Sequence, residues 1–368
     1  MLVVFVDIPP DNFTECFGAS SYGEIMLFNK TLFEYIRSSV YSFIDDCYVI
    51  LSSNKEFYGE TEALCHSREA LIEQIEKTNE NNVVFFFLDS YFEMDNDAIF
   101  ETEITSEGVL LCDYDGISYG VVLDKNYILS LLKFDINFDL KLLLKICDLC
   151  KINCISYGVK LSNIKDYKRF CDFAFSSDFN EKLPEIAQGI YSIEGMPSGE
   201  YTVIPPVYLG RNVQVERGAV IGPATIIYDD SLVSQNSVVD NSILLSNCYI
   251  SKDCFLENCI CCSNVSVRRS SALYSGAIIG ADSILSEKSN VERDSCWMEL
   301  SVRNNALNRV IRRSDGIVKN DSGDGIIEIT DERFNIICER SGVNSMKILL
   351  KASSFEIAQE IISEIDYN

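Results

Sequence analysis

The sequence predicts an α/β domain, then a left-handed parallel β-helix, then a small α+β domain. Three observations support this: apolar runs that alternate with helical patterns, a six-residue apolar period in residues 203–297, and a β-β-β-α pattern near the end. We place the three domains at residues 1–195, 200–300 and 310–368. A chain of 368 residues is long enough for three domains.

The first domain is predicted from short apolar runs. "MLVVFVDI", "CYVILSS" and "NVVFFFLD" are typical of buried parallel strands. Between them lie two helical patterns, "TLFEYIRSSVYSFI" and a segment from about Glu60 to Lys77. This β-α-β-α-β order predicts an α/β sheet.

The β-helix is predicted from apolar residues that recur every six positions, with a step of four that resets the frame between Leu245 and Tyr249. Each hexad is expected to form one side of a triangular coil, with the apolar residue inside, so the segment holds about five coils. The predicted inward residues are Leu209, Val215, Ile221, Ile227, Val233, Val239, Leu245, Tyr249, Phe255, Cys261, Val267, Leu273, Ile279, Leu285, Val291 and Trp297.

Charge excludes several classes of partner. The net charge is −25, and residues 1–200 alone carry 34 acidic against 15 basic side chains. Such a surface repels nucleic acid and anionic membranes, so we expect neither as a partner. No signal peptide is predicted, because "MLVVFVDIPPD" has no basic region and a short apolar run. The fifteen cysteines are expected to be buried free thiols in a reducing, cytoplasmic compartment.

Two groups of cysteines are candidate metal sites. Cys147, Cys150 and Cys154 include a C-x2-C pair, but zinc usually requires four ligands, and their helical spacing predicts core thiols of an apolar helix. The second group, Cys259, Cys261 and Cys262, is expected to pack within the β-helix. We therefore predict no metal site.

Hexapeptide β-helices are common in acyltransferases and in sugar-nucleotide enzymes. Acyl transfer of this type needs a histidine general base. The single histidine, His66, lies far outside the β-helix and is expected on the surface of the second helix. The sequence therefore disfavours an acyltransferase.

Three segments carry a resemblance to a known family. "MLFNKTLFEYIRSSV", "FFFLDSYFEMD" and "ISYGVKLSNIKDYKRF" resemble, in the right order, motifs of sugar-1-phosphate nucleotidyltransferases of the mannose-1-phosphate guanylyltransferase type. The resemblance covers roughly residues 1–175 and implies a Rossmann-like nucleotidyltransferase domain. It also implies that Asp89 stands at the position of the catalytic metal ligand, with Mg²⁺ as the cofactor of an active relative.

The sequence also departs from the motifs of this family at several positions. The family's Gly-rich phosphate loop is replaced by "DIPPDNFTECFGASSYGEIMLF", and no Lys or Arg occurs from Met1 to Asn29. Nucleotidyl transfer needs positive charge on the phosphates. The family's second metal-binding Asp falls on Lys160, and Asp89 alone cannot hold Mg²⁺ productively. The domain is also shorter than the family norm, so we expect a truncated, inactive domain without a cofactor. The acids in the replaced interval are Asp7, Asp11, Glu15 and Glu24.

The last domain is predicted from "IIEI" and "FNIIC" as a hairpin, "MKILLKA" as a third strand, and a helix capped by Ser353. It resembles the last domain of phosphomannomutases and phosphoglucomutases over about residues 313–365. The resemblance implies that a turn with Arg340, Ser341 and Gly342, expected to join strand to helix, is the remnant of a phosphate-binding loop. The family's phosphate-clasping Arg falls on Glu339, so only residual anion binding is expected there.

These patterns predict a non-catalytic scaffold or regulatory homologue in nucleotide-sugar or polysaccharide metabolism. We expect it to form a homo-oligomer, or a hetero-oligomer with an active homologue, through the β-helix, and to bind a sugar phosphate or nucleotide sugar. The outward aromatics Tyr208, Tyr228 and Tyr274 favour such assembly. Two alternatives stay open: an active nucleotidyltransferase with a rebuilt phosphate loop, and a purely structural protein that binds no small molecule.

Overall fold

The chain forms two compact units, one of Met1–Glu15 and Ala19–Asn180, the other of Cys16–Gly18 and Glu181–Asn368. The finer domain boundaries stay predictions. The structure, a computed structural model, describes residues 1–9, 14, 16–40, 48–58, 64–94, 108–134, 140–145, 150–176, 179, 183–274, 276–291, 295–303, 317–321, 326–330, 332–340, 345–353, 357–358 and 361.

The first unit contains a mixed eight-stranded sheet in the order β5-β4-β1-β6-β9-β8-β10-β7, and a separate β2-β3 hairpin. Strands β5, β4, β1 and β6 run parallel. Three of them, β1, β4 and β6, were predicted as parallel strands from their apolar runs. The strands are β1 (Leu2–Val6), β2 (Met26–Leu27), β3 (Lys30–Thr31), β4 (Tyr48–Leu51), β5 (Leu64–Cys65), β6 (Asn82–Phe87), β7 (Ser90–Met94), β8 (Gly108–Asp113), β9 (Ser118–Asp124) and β10 (Cys150–Lys160).

Five α-helices of the first unit are described, together with 3-10 helices at Tyr22–Glu24 and Leu140–Lys145. The first helix begins at a capping box, in which Thr31 and Glu34 satisfy each other's backbone N–H groups. The helices are α1 (Leu32–Ser39), α2 (Lys55–Tyr58), α3 (Arg68–Lys77), α4 (Lys125–Phe134) and α5 (Ile164–Ala174).

The predicted start of the second helix at about Glu60 is wrong. Leu64 and Cys65 pair with β4 as a parallel strand, and α3 begins only after Ser67, whose side chain accepts a hydrogen bond from the Ala70 N–H. His66 is exposed, as expected, but lies in the connection between β5 and α3 rather than on a helix.

The predicted helix around the C-x2-C pair is also wrong. Cys150 and Cys154 both lie in β10, which pairs with β8 on one side and β7 on the other. Cys154 is buried, whereas Cys150 is exposed; Cys147 lies outside the described residues. Sheet pairing determined the conformation here in spite of a helical apolar spacing.

The second unit contains the predicted parallel β-helix, built from short strands in three faces. The first face contains β13 (Thr202–Val203), β16 (Val220–Ile221), β19 (Val238–Asp240), β22 (Phe255–Glu257), β25 (Ala272–Leu273) and β28 (Asn290–Val291). The second face contains β12 (Ile190–Ser192), β14 (Val207–Leu209), β17 (Thr225–Ile227), β20 (Ile243–Leu244), β23 (Ile260–Cys261) and β26 (Ile278–Ile279), with β11 (Glu185–Ala187) antiparallel at its start. The third face contains β15 (Gln214–Val215), β18 (Leu232–Val233), β21 (Tyr249–Ile250), β24 (Ser266–Val267) and β27 (Ile284–Leu285).

Most of the predicted inward residues line the β-helix core, but the middle of the row is shifted. Leu244, Ile250 and Leu256 belong to the core, in register with the inward residues of the preceding coil. The predicted Leu245, Tyr249 and Phe255 do not, and Tyr249 and Phe255 are 39% and 38% exposed. The single reset of four is therefore wrong: the frame changes through two separate five-residue steps.

The corners of the β-helix show where these steps occur. Each described corner contains a residue with positive φ, and Asn, Asp and Gly adopt this conformation most readily. The spacing is six residues except from Asn236 to Asn241 and from Asp253 to Asn258. The corner residues are Asn212, Gly218, Ala224, Asp230, Asn236, Asn241, Asn247, Asp253, Asn258, Asn264, Ser270, Gly276, Asp282 and Lys288.

One coil uses cysteine as its small corner residue. Cys248, Cys254 and Cys259 each stand two residues before an inward residue and are buried. Their backbone N–H groups donate to the hydroxyl oxygens of Ser231, Ser237 and Ser242, which hold the same places in the preceding coil. Burial raises the pKa of Cys248 to about 12. These thiols are packing residues, as expected for the β-helix cysteines.

The second face continues into an antiparallel sheet in the order β29-β33-β32-β31-β30. Its strands are β29 (Cys296–Arg303), β30 (Ile317–Asp321), β31 (Ile326–Thr330), β32 (Phe334–Arg340) and β33 (Ser345–Ala352). The predicted hairpin and third strand are confirmed. Strand β29 pairs with both β26 and β33 and so joins the two sheets. Most of the predicted last helix lies outside the described residues, although Ala358 and Ile361 are buried.

Most of the outward residues of the second face are buried. Tyr208 and Tyr228 are almost fully buried, and their rings lie 5.9 Å apart. The expectation that they form an exposed assembly surface is therefore wrong. Tyr274 is only partly exposed and lies against Phe255, on the first face.

Candidate functional site

Polar side chains collect at one edge of the N-terminal sheet. Strands β1, β4, β6, β8 and β10 point the same way, so their carboxyl ends meet at this edge. The residues that end these strands or follow them within two positions include Asp7, Ser52, Asp89, Asp113 and Lys160. This edge is where open α/β sheets bind their ligands, and it holds the candidate site.

Asp89 lies between two lysine side chains. Its Oδ1 is 3.4 Å from Nζ of Lys160, and its Oδ2 is 3.2 Å from Nζ of Lys141. Lys160 is brought there by the pairing of β10 with β7, in which it lies opposite Ser90. Asp89 and Lys160 are mostly buried, whereas Lys141 is about half exposed. Each of the two carboxylate oxygens of Asp89 therefore faces its own ammonium group.

The surroundings of Lys160 are partly apolar. Its ammonium group lies 5.1 Å from the centre of the Tyr119 ring, and the Tyr119 hydroxyl donates a 3.0 Å hydrogen bond to Asp113. Burial lowers the pKa of Lys160, an effect that the negative charge of Asp89 opposes. Burial, together with the Asp113 hydrogen bond, raises the pKa of Tyr119. The Asp89 carboxylate thus compensates a largely desolvated cation.

These residues do not fit the divalent metal that the family resemblance implies. Mg²⁺ needs carboxylate or other oxygen ligands. At Asp89 the neighbouring charges are two ammonium groups, those of Lys160 and Lys141. In the part of the chain that the structure describes, no group of three or more His, Cys, Asp or Glu side chains could hold a metal ion.

In the acidic interval after β1, carboxylate side chains accept hydrogen bonds from backbone N–H groups of the same interval. Asp7 Oδ1 accepts a 2.9 Å hydrogen bond from the Gly23 N–H, and Glu24 accepts one of 2.8 Å from the Ser20 N–H. Asp7 Oδ2 also accepts from the Ser52 hydroxyl, at 2.8 Å. Carboxylates therefore occupy backbone donors in the interval where a phosphate loop would use such donors for its ligand. Asp11 and Glu15 lie outside the described residues.

The Asp7 site is tightly packed. Burial raises the pKa of Asp7, and its hydrogen bonds, above all that from Gly23, oppose the rise. A Cβ atom on Gly23 would collide with the hydroxyl of Tyr58, whose pKa is raised by burial and by the Asp7 charge. The backbone at Gly23 thus leaves no room for a side chain.

Several residues of this edge are not predicted by the sequence motifs. Lys141 lies in "LKLLLKICDLCKINC", the segment whose spacing predicts an apolar helix, and Ser52, Asp113 and Tyr119 belong to no recognised motif. One signal was available for Ser52 and Asp113: a polar residue that ends or directly follows a buried strand belongs to the functional edge when the strand is parallel to its neighbours.

The predicted phosphate-loop remnant is only partly described. Arg340 is the last residue of β32 and pairs with Met346 of β33, so the turn after it joins two strands and not a strand to a helix. Ser341 and Gly342 lie outside the described residues. Anion binding at this turn stays a prediction.

An α/β domain with a polar carboxyl edge, followed by a hexapeptide β-helix, is the arrangement of sugar-1-phosphate nucleotidyltransferases that carry such a C-terminal region. Residues 203–311 match the family described as GMPPB C-terminal domain, which relates this part of the chain to mannose-1-phosphate guanylyltransferase. The match covers less than a third of the 368 residues. A comparison with curated proteins finds no match. Within the described residues, no helix is long and apolar enough to cross a membrane.

Proposed function

We propose that this chain is a catalytically inactive relative of the mannose-1-phosphate guanylyltransferases, acting as a scaffold or regulatory subunit in nucleotide-sugar metabolism. The single observation that carries the proposal is the position of Asp89 between Lys160 and Lys141. A metal-dependent nucleotidyltransferase needs a cation held by carboxylates beside the reacting phosphates. Here two lysines supply the positive charge at the carboxylate, and neither can coordinate a phosphate oxygen as a metal ion does.

The loop after β1, whose backbone N–H groups donate to its own carboxylates, supports the same proposal. A phosphate entering there would have to displace Asp7 from Gly23 and Glu24 from Ser20, and would meet both carboxylates. Two like charges about 4 Å apart near a protein surface repel by about 4 kcal/mol. The loop therefore disfavours a nucleoside triphosphate in the orientation that transfer requires.

Pyrophosphate release tests the proposal. The purified chain is incubated with Mg²⁺, each of the five common nucleoside triphosphates and a panel of sugar-1-phosphates that includes mannose-1-phosphate. We expect no pyrophosphate above a control without protein. Sustained turnover that depends on the sugar phosphate and is lost in Asp89→Asn would overturn the proposal and favour an active enzyme with a rebuilt phosphate loop.

A further inference from the structure

A three-residue segment from the N-terminal part of the sequence belongs to the same compact unit as the β-helix. Cys16–Gly18 is part of the second unit, whereas the stretches on either side of it belong to the first. The carbonyl oxygen of Cys16 accepts a 2.9 Å hydrogen bond from the Ser263 N–H. Ser263 follows β23 by two positions and is buried. The segment therefore lies against the β-helix, beside the end of β23.

This contact brings two thiols together. Cys262 directly follows the inward residue Cys261 and does not belong to the interior core, so its side chain points to the outside of the β-helix. There it shares a hydrogen bond with the Cys16 thiol. Both residues are free cysteines and both are buried, Cys16 at 2% exposure and Cys262 at 0%. They lie far apart in the sequence, so the fold alone creates the contact.

Another pair of thiols in hydrogen-bonding contact, Cys259 and Cys261, has different surroundings. Both residues belong to the interior core, and the coils that contain β20 and β26 close it on each side. Cys16, in contrast, lies in a turn outside the β-helix. A small oxidant therefore reaches Cys16 through a local opening of this turn, whereas it reaches Cys259 only if coils of the β-helix separate.

We propose that Cys16 and Cys262 are a dithiol–disulfide pair, whose oxidation fastens the Cys16–Gly18 segment covalently to the β-helix. The oxidant is a low-molecular-weight disulfide such as oxidised glutathione. The Cys16 thiolate attacks one sulfur of the oxidant, a mixed disulfide forms, and one glutathione thiolate leaves. The Cys262 thiolate then attacks the Cys16 sulfur, the S–S bond forms within the chain, and the second glutathione leaves. The chain loses two electrons and two protons, and the oxidant is reduced to two thiols.

The environment of Cys262 determines the order of these steps. Its hydrogen bond to Cys16, together with burial, raises the pKa of the Cys262 thiol well above its usual value. The thiolate is the attacking species, so Cys262 is a poor first nucleophile. Once Cys16 carries glutathione, its sulfur stays beside Cys262, and the second step is intramolecular. Oxidation is therefore expected to be slow and to begin at Cys16.

Incubation of the folded full chain with oxidised and reduced glutathione in varied ratios tests the pair. Free thiols are trapped with acid and alkylated, and disulfides are mapped by mass spectrometry of the digested protein. We expect one Cys16–Cys262 cross-link, which dithiothreitol removes, in a chain lighter by two hydrogen atoms. The thermal unfolding midpoint should rise by about 5 °C or more, because a cross-link between distant residues restricts the unfolded chain. Cys259 and Cys261 should remain available for alkylation.

Serine variants test the order of the steps. Cys262→Ser should retain one glutathione at Cys16, whereas Cys16→Ser should retain little at Cys262. The matched control is Cys296→Ser, since Cys296 is another buried thiol near Cys262 and its loss should leave the cross-link intact. Equal amounts of glutathione on the first two variants would overturn the order of attack.

The wild-type chain alone is enough to refute the pair, whether or not a variant folds. Absence of the cross-link at every glutathione ratio, while the exposed Cys150 takes up glutathione, would overturn the proposal. A cross-link between Cys262 and Cys296, or one that forms only in urea, would do the same. Pyrophosphate release is a separate measurement, so none of these results decides whether the chain is catalytically inactive.

Discussion

Ile250→Asp is expected to unfold the β-helix, whereas Tyr249→Asp is expected to leave its stability almost unchanged. Ile250 belongs to the interior row and is fully buried, while Tyr249 is 39% exposed. Burying a carboxylate without a partner should cost at least about 4 kcal/mol, and the surface change should stay within about 1 kcal/mol. Thermal unfolding followed by circular dichroism measures both effects.

The relative stability of these two variants decides which residues point inward in the middle of the β-helix. A simple six-residue frame with one reset places Tyr249 and Phe255 inside, and the corners place Ile250 and Leu256 inside. If Tyr249→Asp proved the more damaging of the two variants, the two five-residue steps would be refuted.

Asp89→Asn is expected to destabilise the N-terminal unit by about 2–3 kcal/mol at neutral pH. The substitution keeps the shape of the side chain and leaves the Lys160 ammonium without its carboxylate. Removing one partner of a buried ion pair costs about 3–5 kcal/mol, and we reduce this figure because both side chains retain some contact with solvent. Urea unfolding of the two proteins measures the difference.

The loss of stability caused by Asp89→Asn should become smaller as the pH rises from about 7 to about 10. Burial already lowers the pKa of Lys160, and without Asp89 it falls further, because the Asp89 charge is what opposes the fall. The unfolded chain then binds more protons than the folded one, so the stability of the variant rises with pH as Lys160 deprotonates. The matched control is Lys141→Gln, which removes the more exposed lysine and should cost about 1 kcal/mol or less. A pH-independent loss would contradict the ion pair.

The architecture was largely predictable because buried strands and β-helix coils each leave a characteristic pattern of apolar residues in the sequence. Fully buried parallel strands are continuous apolar runs, and a hexapeptide period has no competing interpretation. The errors arose where one signal was used alone. Apolar residues flank both Leu244 and Ile250, so hydrophobicity could not fix the frame, whereas the corner residues Asn241 and Asn258 mark both short steps.

The outward residues of the β-helix also indicate which of its faces is buried. Outward residues of the second face, such as Ile226, Ile243 and Ile260, are as apolar as inward ones. Such a row predicts a buried face, and these three residues are buried. The tyrosines Tyr208 and Tyr228 belong to that face and not to an exposed one.

The site was predictable only in part. Asp89 and Lys160 are predictable because each lies in a segment that resembles a family motif. The contact of Lys141 with Asp89 joins residues far apart in the sequence and depends on the 3-10 helix at Leu140–Lys145, which the apolar spacing did not predict. The hydrogen bonds of Asp7 and Glu24 to the loop likewise depend on a backbone conformation that composition does not determine.

Binding of Mn²⁺, followed by electron paramagnetic resonance, tests the central claim most directly, because it asks whether Asp89 holds a metal ion. The titration compares the wild-type chain with Asp89→Asn under identical conditions. With the Asp89 oxygens engaged by Lys160 and Lys141, we predict that both proteins show the same weak binding expected of any acidic surface. Stoichiometric binding by the wild type that disappears in Asp89→Asn would contradict the claim.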